Sequence, residues 1–379
     1  MEKIRNYFES ESSDNDENNN DENEILNDED NNNMQIEEES ESEAFIYDED
    51  DFQKDNIIKF LFDNKLLKNN PICYKCHQTM KLVNDKQRVD GKIWRCSKKG
   101  NNKHDNRLNI RNGSVFEKFK TDIRILYFLI FYNFVENKSV KDSYNNSLEF
   151  SRQLHIEYVT KKLVSIFFNT LRIKIKNRMH KIWKENKLGM EPCKNGKSYC
   201  EIDESKIINY NNETRWMFGI YDRGSNDVRI FYVDNNRTKE TLLPIIKKNI
   251  YTYYDHIVNN NDPNSDNYPT RIFSDCFQTY QTSDFNNLGY KLYKVNHSFW
   301  FGHGHFHTNS IEGTWSRIKR LSRSFNELND NIFNTSLDID NKAYFEGWIC
   351  TAIFFMKCES LHLAINQKKN YLTDYLTCQ

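Results

Sequence analysis

Three carboxylates stand where side chains of their type are costly. Asp203 lies inside the alternating run "SYCEIDESKI", Asp275 ends the apolar run "TRIFSDCF", and Glu312 opens "NSIEGTWSRIKRL". Seventy-one residues separate the first two and 36 the second pair, so any meeting between them has to be made by the fold. A carboxylate set among apolar strand residues loses hydration unless positive charge replaces it. Two Mg²⁺ ions about 4 Å apart, held by three acidic side chains, would supply that charge and would clamp the attacking and leaving oxygens of a phosphodiester. Taken singly, each acid has a surface or salt-bridge role as its ordinary explanation. The reading rests on the three together.

A second constellation is sulfur. Cys73 and Cys76 are two residues apart in "CYKC", Cys96 follows after 19 more, and His104 after another seven. Zn²⁺ takes four soft or borderline ligands in a tetrahedron, which a tight knuckle facing a hairpin can provide. This spacing predicts a zinc ribbon, with His77 or Cys193 as competitors for the fourth place and a pair of buried thiols as the plain alternative. His303, His305 and His307 also alternate, but the glycines of "FGHGHFHT" leave no rigid face to gather them. They are expected in a loop, with His307, nearest the acidic segment, the candidate for an accessory role. Asn309 followed three residues later by Glu312 has the form of a capping box as well. In that form Glu312 would reach back to its helix start rather than across to the other acids.

The elements that must position these groups fall into two patterns. Residues 121–135, 139–147 and 151–178 are expected to be helical. The last sets Leu154, Tyr158, Leu163, Phe167 and Leu171 near a 3.6 period, with Lys and Arg elsewhere. Three helices ending in a basic one suit a helix-turn-helix that lays its final helix in a DNA groove, or equally an ordinary bundle. From Lys197 the pattern becomes strand-like. "RWMFGIYDRGSNDVRIFYVD" predicts two strands joined by a tight turn, "KETLLPIIKKNIYTYY" a helix, and "TRIFSDCF" and "GYKLYKVNH" two more strands. With Ile311, Trp315, Ile318 and Leu321 striping a last helix, the order strand, strand, strand, helix, strand, strand, helix fits an α/β mixed sheet with flanking helices. Near the C-terminus, "YFEGWICTAIFFMKCESLHLAI" is expected to be an amphipathic packing helix that buries Cys350 and Cys358. Trp183, Trp216, Trp300 and Trp348 are expected in the core or on the sheet.

Composition supplies the partner. The chain has 379 residues, room for two or three small domains, and a formal net charge of −2 that hides a split. Residues 1–55 carry 22 Asp and Glu against 3 Lys and Arg, which leaves 50 basic and 33 acidic residues for the remainder. An acidic, Asn-rich tail of this kind buries too little apolar surface to offset its ordering entropy and is expected to be disordered. A body at +17 calls for a polyanion, and nucleic acid is the commonest. The longest apolar run, "ILYFLIFYNFV", is too short to span a membrane, and no signal peptide is evident. A soluble intracellular protein without a membrane partner is expected, its cysteines reduced and either metal-bound or buried.

The ordered set "EIDES", "RWMFGIYDR", "FSDCFQTY", "VNHSFWF" and "HTNSIEGTWSRIK" resembles the catalytic domain of Merlin-type DDE transposases and their bacterial insertion-sequence relatives. "CYKC", "IWRC" and "IRNGSVFEK" extend the resemblance upstream, so that it covers roughly residues 70–321. It implies a zinc ribbon at 56–112, a helical DNA-binding segment at 113–195 and a ribonuclease-H-like catalytic domain at 196–335, ahead of a C-terminal helical segment at 336–379. It further implies cleavage and joining of double-stranded DNA at terminal inverted repeats and target sites, with Mg²⁺ or Mn²⁺ as cofactor, structural Zn²⁺ and a homo-oligomeric assembly. By position Asp203, Asp275 and Glu312 match the acidic triad, and Lys319 matches a lysine that could hold DNA phosphate. Asn309 stands where some relatives carry an Asn ligand, and His104 replaces the Cys that usually closes the ribbon. A non-catalytic DNA-binding descendant and a structure-specific nuclease are the alternatives. The Asn- and Lys-heavy composition suggests a eukaryote, where the nucleus would be the workplace; otherwise it is the cytoplasm.

Overall fold

Where hydrophobic spacing is helical, the computed structural model forms helices. It describes residues 52–100, 103–156, 159–210, 213–234, 236–255, 270–295, 307–325, 341–363 and 365–377. Residues 1–51, and with them most of the expected acidic tail, lie outside the described residues, as do Tyr158, Trp300, His303 and His305. Phe52, which the sequence reading placed in the tail, is instead buried against Phe128 and Phe150. Helix α1 (Lys54–Asp63) follows and buries Ile57, Ile58, Leu61 and Phe62 on one side. Strands β1 (Lys81–Asn84), β2 (Lys92–Lys98) and β3 (His104–Asn109) then make a three-stranded antiparallel sheet in that order. Trp94 and Cys96 point from β2 into the core. A buried ion pair, Arg111 Nε to Asp90 Oδ2 at 2.7 Å, closes the sheet's base.

Helix α2 (Ile123–Ile130) is apolar nearly all round and is buried accordingly, continuing as a π-helical turn over Phe131–Val135. Asp122 caps it by accepting from the Arg124 N–H. Helix α3 (Val140–Gln153) is capped by Ser139 and helix α4 (Lys161–Glu185) by Thr160. The single helix expected over 151–178 is therefore broken. His155 adopts φ of 52°, and the Ile156 N–H bonds back to the Ser151 carbonyl, so α3 ends in a left-handed reversal. Leu154 terminates α3 while Phe167 and Leu171 belong to α4.

Five strands form the second sheet: β4 (Ser198–Tyr210), β5 (Glu213–Asp222), β6 (Asp227–Asp234), β7 (Thr270–Ser274) and β8 (Lys291–Lys294). Their order is β6-β5-β4-β7-β8, antiparallel across β6, β5 and β4 and parallel from β4 to β7 and β8. The expected α/β class with a mixed sheet is what the chain adopts. Helices α5 (Lys239–Asn249) and α6 (Thr282–Asn287) cover one face, where Cys200 and Ile202 meet Leu242, Ile246 and Phe285. Helix α7 (Asn309–Phe325) covers the other, packing on β4 and β5. The short α6 was not expected from the sequence.

Two further helices, α8 (Asn341–Ser360) and α9 (Ile365–Leu376), return to pack on α4. Ten residues of α4 are buried and the C-terminal helices lie against it, so it is the hub of a bundle, the second of the two arrangements its pattern suits. Helix α8 buries Cys350 and Cys358, as expected, but it is buried around most of its circumference rather than along one stripe.

Candidate metal centre and active site

The ribbon brings its four expected ligands together. The ligand atoms of Cys73, Cys76, Cys96 and His104 all lie within 4.8 Å of one another. Cys76 Sγ is 3.5 Å from Cys96 Sγ, and His104 Nε2 is 3.4 Å from Cys96 Sγ and 3.6 Å from Cys73 Sγ. A zinc tetrahedron with usual bond lengths has edges of roughly 3.8 Å between sulfurs and 3.6 Å between sulfur and nitrogen. These residues therefore fit Zn²⁺. Burial pushes the Cys73 thiol up, but hydrogen bonds from Asn106 and from the Lys75 and Cys76 amides outweigh it and bring it to about 6, toward the thiolate a metal needs. Of the competitors, His77 is an exposed knuckle residue with φ of 54°, and Cys193 packs beside Tyr199 near the larger sheet. His104 is the fourth member.

The carboxylates are set by strand register. In the parallel pairing of β4 with β7, Glu201 lies opposite Phe273. Two residues further on each strand, Asp203 comes level with Asp275 just past the end of β7. Helix α7 then crosses the same face, and the Trp315 indole N–H donates to Asp203 Oδ2 at 2.9 Å. Gly219, the β5 partner of Asp203, makes room for this: a Cβ there would stand 2.6 Å from the Trp315 ring. Burial is the main force pushing the Asp203 carboxyl up to about 6. The Trp315 hydrogen bond opposes it, while the charges of Asp275 and Glu312 add to it. All three expected acids thus stand within electrostatic reach of one another.

They do not close up as the ribbon ligands do. Among the described residues, the Cys73, Cys76, Cys96 and His104 group is the one set of such ligands gathered within 4.8 Å. Glu312 is exposed, and its Oε1 accepts from the Thr308 hydroxyl at 2.9 Å. The expected capping box is shifted by one residue. Helix α7 begins at Asn309, so Thr308 occupies the cap position and Asn309 is the first helical residue, exposed to solvent. Lys319 lies two turns beyond Glu312, half-buried.

Two acids of "EIDES" that the sequence reading passed over belong to this neighbourhood. Glu201, on the same face as Asp203 by strand alternation, is fully buried. It accepts from Arg223 Nε at 2.5 Å and from the Ile311 backbone N–H at 2.9 Å, with His307 Nδ1 3.5 Å away. A buried carboxylate at the start of α7 satisfies one of its orphan amides and ties the helix to the sheet. His307 is thereby placed beside Glu201 and Arg223. Glu204, on the opposite face, is pushed up to about 8 by burial first and then by Asp203 and Asp275, with Arg237 opposing. The Tyr280 hydroxyl donates to it. The period-2 alternation around Asp203 was the available signal for Glu201. Asp203, Asp275 and Glu312, the latter two each raising the cost of ionising Asp203, are a donor set suited to a hard divalent cation.

No protein-family model and no curated protein matches the chain. Among solved structures it is similar to one titled as a simian T-cell lymphotropic virus intasome in complex with PP2A regulatory subunit B56 gamma, at 16% identity and a TM-score of 0.26 over 43% of this chain and 49% of that chain. The chain thus spans about half the length of that neighbour. It is also similar to the HTLV-2 integrase catalytic core domain in complex with magnesium. The dimeric form gives 14% identity, 44% of this chain, 87% of that chain and a TM-score of 0.25, and the trimeric form gives 15%, 41%, 82% and 0.24.

Proposed function

We propose that the chain is a metal-dependent enzyme of the DDE transposase type that cuts double-stranded DNA at element ends and joins the freed 3′-hydroxyl to target DNA. The observation that carries this reading is the register of β4 against β7, which sets half-buried Asp203 level with Asp275 beneath the helix that bears Glu312. A central first strand flanked by antiparallel partners on one side and parallel ones on the other supports a ribonuclease-H-like assignment for the sheet.

In this reading Asp203, Asp275 and Glu312 would hold Mg²⁺ or Mn²⁺, which when bound acidifies the attacking water or hydroxyl and stabilises the leaving 3′-oxygen. The chain's own groups prepare the site. The Trp315 N–H donates to Asp203 Oδ2 and so fixes the orientation of that carboxylate. Glu201 and Arg223 anchor the start of α7, so that Glu312 is carried on a helix locked to the sheet. Lys319, on the same helix face, would hold a DNA phosphate as a point charge. The ribbon, with Zn²⁺ held by Cys73, Cys76, Cys96 and His104, and the helical bundle would bind the terminal repeats, largely through phosphate. Joining two ends calls for a homo-oligomer, and in a eukaryotic host the nucleus is where this would happen.

The hydrogen bond between Thr308 and Glu312 favours a second reading, a non-catalytic DNA-binding descendant in which Glu312 serves its helix. One experiment separates the two. Purified protein is given Mg²⁺ or Mn²⁺ and a duplex carrying the inverted repeats that flank the coding region. The first reading expects 3′-hydroxyl ends that the Asp203→Ala variant does not produce; equal cutting by both proteins would overturn it.

A further inference from the structure

The ribbon sheet has an outward face that its metal site does not use. On that face Lys81 pairs with Arg95, and Arg95 pairs with Arg107, so three cations form one row across β1, β2 and β3. The side chains of Arg95 and Arg107 are 43% and 49% exposed. Asp105 is shared between them, at 2.7 Å from Arg95 Nε and 3.0 Å from an Arg107 terminal nitrogen. Among the described residues Lys81 makes no ion pair. Like charges directly opposite one another across strands are destabilising, so a single acid leaves the row in want of an anion. The surrounding sequence sharpens the imbalance. Residues 71–111 carry 11 Lys and Arg against 3 Asp and no Glu, a formal +8.

Residues 1–51 carry 21 Asp and Glu against 2 Lys and Arg, a formal −19, and the chain enters the fold beside this sheet. Phe52 is pinned by Phe150 at 5.0 Å and Phe128 at 5.9 Å. Lys54 Nζ then donates to the Val89 carbonyl in the β1–β2 connection at 2.9 Å. Asp55, although 79% exposed, already pairs with Lys92 of β2 at 3.1 Å. Belonging to the same chain, that segment is presented to the sheet at an effective concentration of order millimolar.

We propose that the outward face of the ribbon sheet, centred on Lys81, Arg95 and Arg107, is a polyanion-docking surface whose resident occupant is the chain's own acidic segment, residues 1–51. Nucleic acid then has to displace the segment, which discourages weak, non-specific binding while leaving tighter sites accessible. The docking is intramolecular and holds whether or not the chain cuts DNA.

The test uses the full zinc-loaded chain. Zero-length carbodiimide crosslinking at low salt, mapped by mass spectrometry, is expected to join acids of 1–51 to Lys81 and other ribbon lysines about fivefold more often than to lysines of the larger sheet, with the preference lost in high salt. Arg95→Gln with Arg107→Gln is expected to reduce those links. An even spread over all lysines, or links indifferent to both substitutions, would overturn the proposal. In a second arm a random-sequence duplex is titrated by fluorescence anisotropy. Converting the acids of 1–51 to Asn and Gln in the full chain is expected to tighten binding about tenfold at low salt, and the gain should vanish in the Arg95→Gln, Arg107→Gln background. Should neutralisation leave affinity unchanged while the arginine substitutions still weaken it, the face belongs to nucleic acid alone and the segment is not its occupant.

Discussion

The sulfur site and the carboxylate site ask different things of the fold. Cys73, Cys76, Cys96 and His104 come from one short stretch and converge to metal-bonding separations. A knuckle and a hairpin suffice to aim them. Asp203, Asp275 and Glu312 come from the middle of a strand, the end of another and the first turn of a helix, and they remain further apart. Each added carboxylate raises the cost of ionising its neighbours, as the Asp203 carboxyl, pushed up to about 6, records. The ribbon ligands are gathered by local geometry, whereas the three carboxylates are brought near one another only by sheet register and helix docking.

Removing the metal from the ribbon is the most disruptive test of that contrast. Structural zinc contributes roughly 10 kcal/mol or more to folding in small zinc modules. Chelation or Cys76→Ser is therefore expected to unfold β1–β3, seen as loss of amide-exchange protection over that sheet. Protection surviving full zinc removal would mean that the core residues Trp94 and Phe62, whose rings meet at 5.7 Å, hold the ribbon without it. At the acidic site the opposite is expected. Asp203→Asn should lower metal-dependent DNA cleavage by about a thousandfold or more, yet leave the melting temperature of metal-free protein unchanged or higher, because one repelling charge is gone. A variant that melts lower would show that Asp203 serves the fold rather than the site.

A smaller effect is expected where the acidic site leans on packing. Gly219→Ala sets a methyl group 2.6 Å from the Trp315 ring and 2.9 Å from Ile311. Overpacking of this kind costs about 1–3 kcal/mol, read as a shifted denaturation midpoint, and it should move Trp315 off Asp203 with a change in indole fluorescence. If stability and fluorescence both match the parent, the close approach of α7 to β5 is not what positions the acids.

The smallest effect lies at the join between α1 and α2. Burial disfavours the charged form of Asp122, but hydrogen bonds from Arg124 and Lys54 outweigh it and hold the carboxyl below its usual range. A folded-state pKa below the unfolded one means stability that is fully present above about pH 4 and is lost as pH falls further. Asp122→Asn should therefore cost about 1 kcal/mol at neutral pH, and its difference from the parent should shrink below about pH 4. A difference that is flat with pH would assign the whole effect to the helix cap and none to the charge.

Much of this molecule is written in short-range pattern. Apart from the short α6, the order of strands and helices from Ser198 onward, the stripe Ile311, Trp315 and Ile318, and the Cys73–Cys76 knuckle follow from periods of 2 and 3.6 and from close spacing, because each is decided within a few neighbouring residues. Other features have no local signal. The split between α3 and α4 depends on His155 turning left-handed, and the burial of α4 depends on α8 and α9 arriving from more than 150 residues away. His104 rather than Cys193 completes the ribbon because only the folded hairpin brings a ring nitrogen to the sulfurs. Spacing named the three acids as candidates, but the register of a parallel strand pair set Asp203 beside Asp275. The cap of α7, shifted to Thr308, set where Glu312 reaches. Registers, crossovers and helix docking are settled by packing across the whole chain, so the sequence supplied the groups and the tertiary structure chose their company.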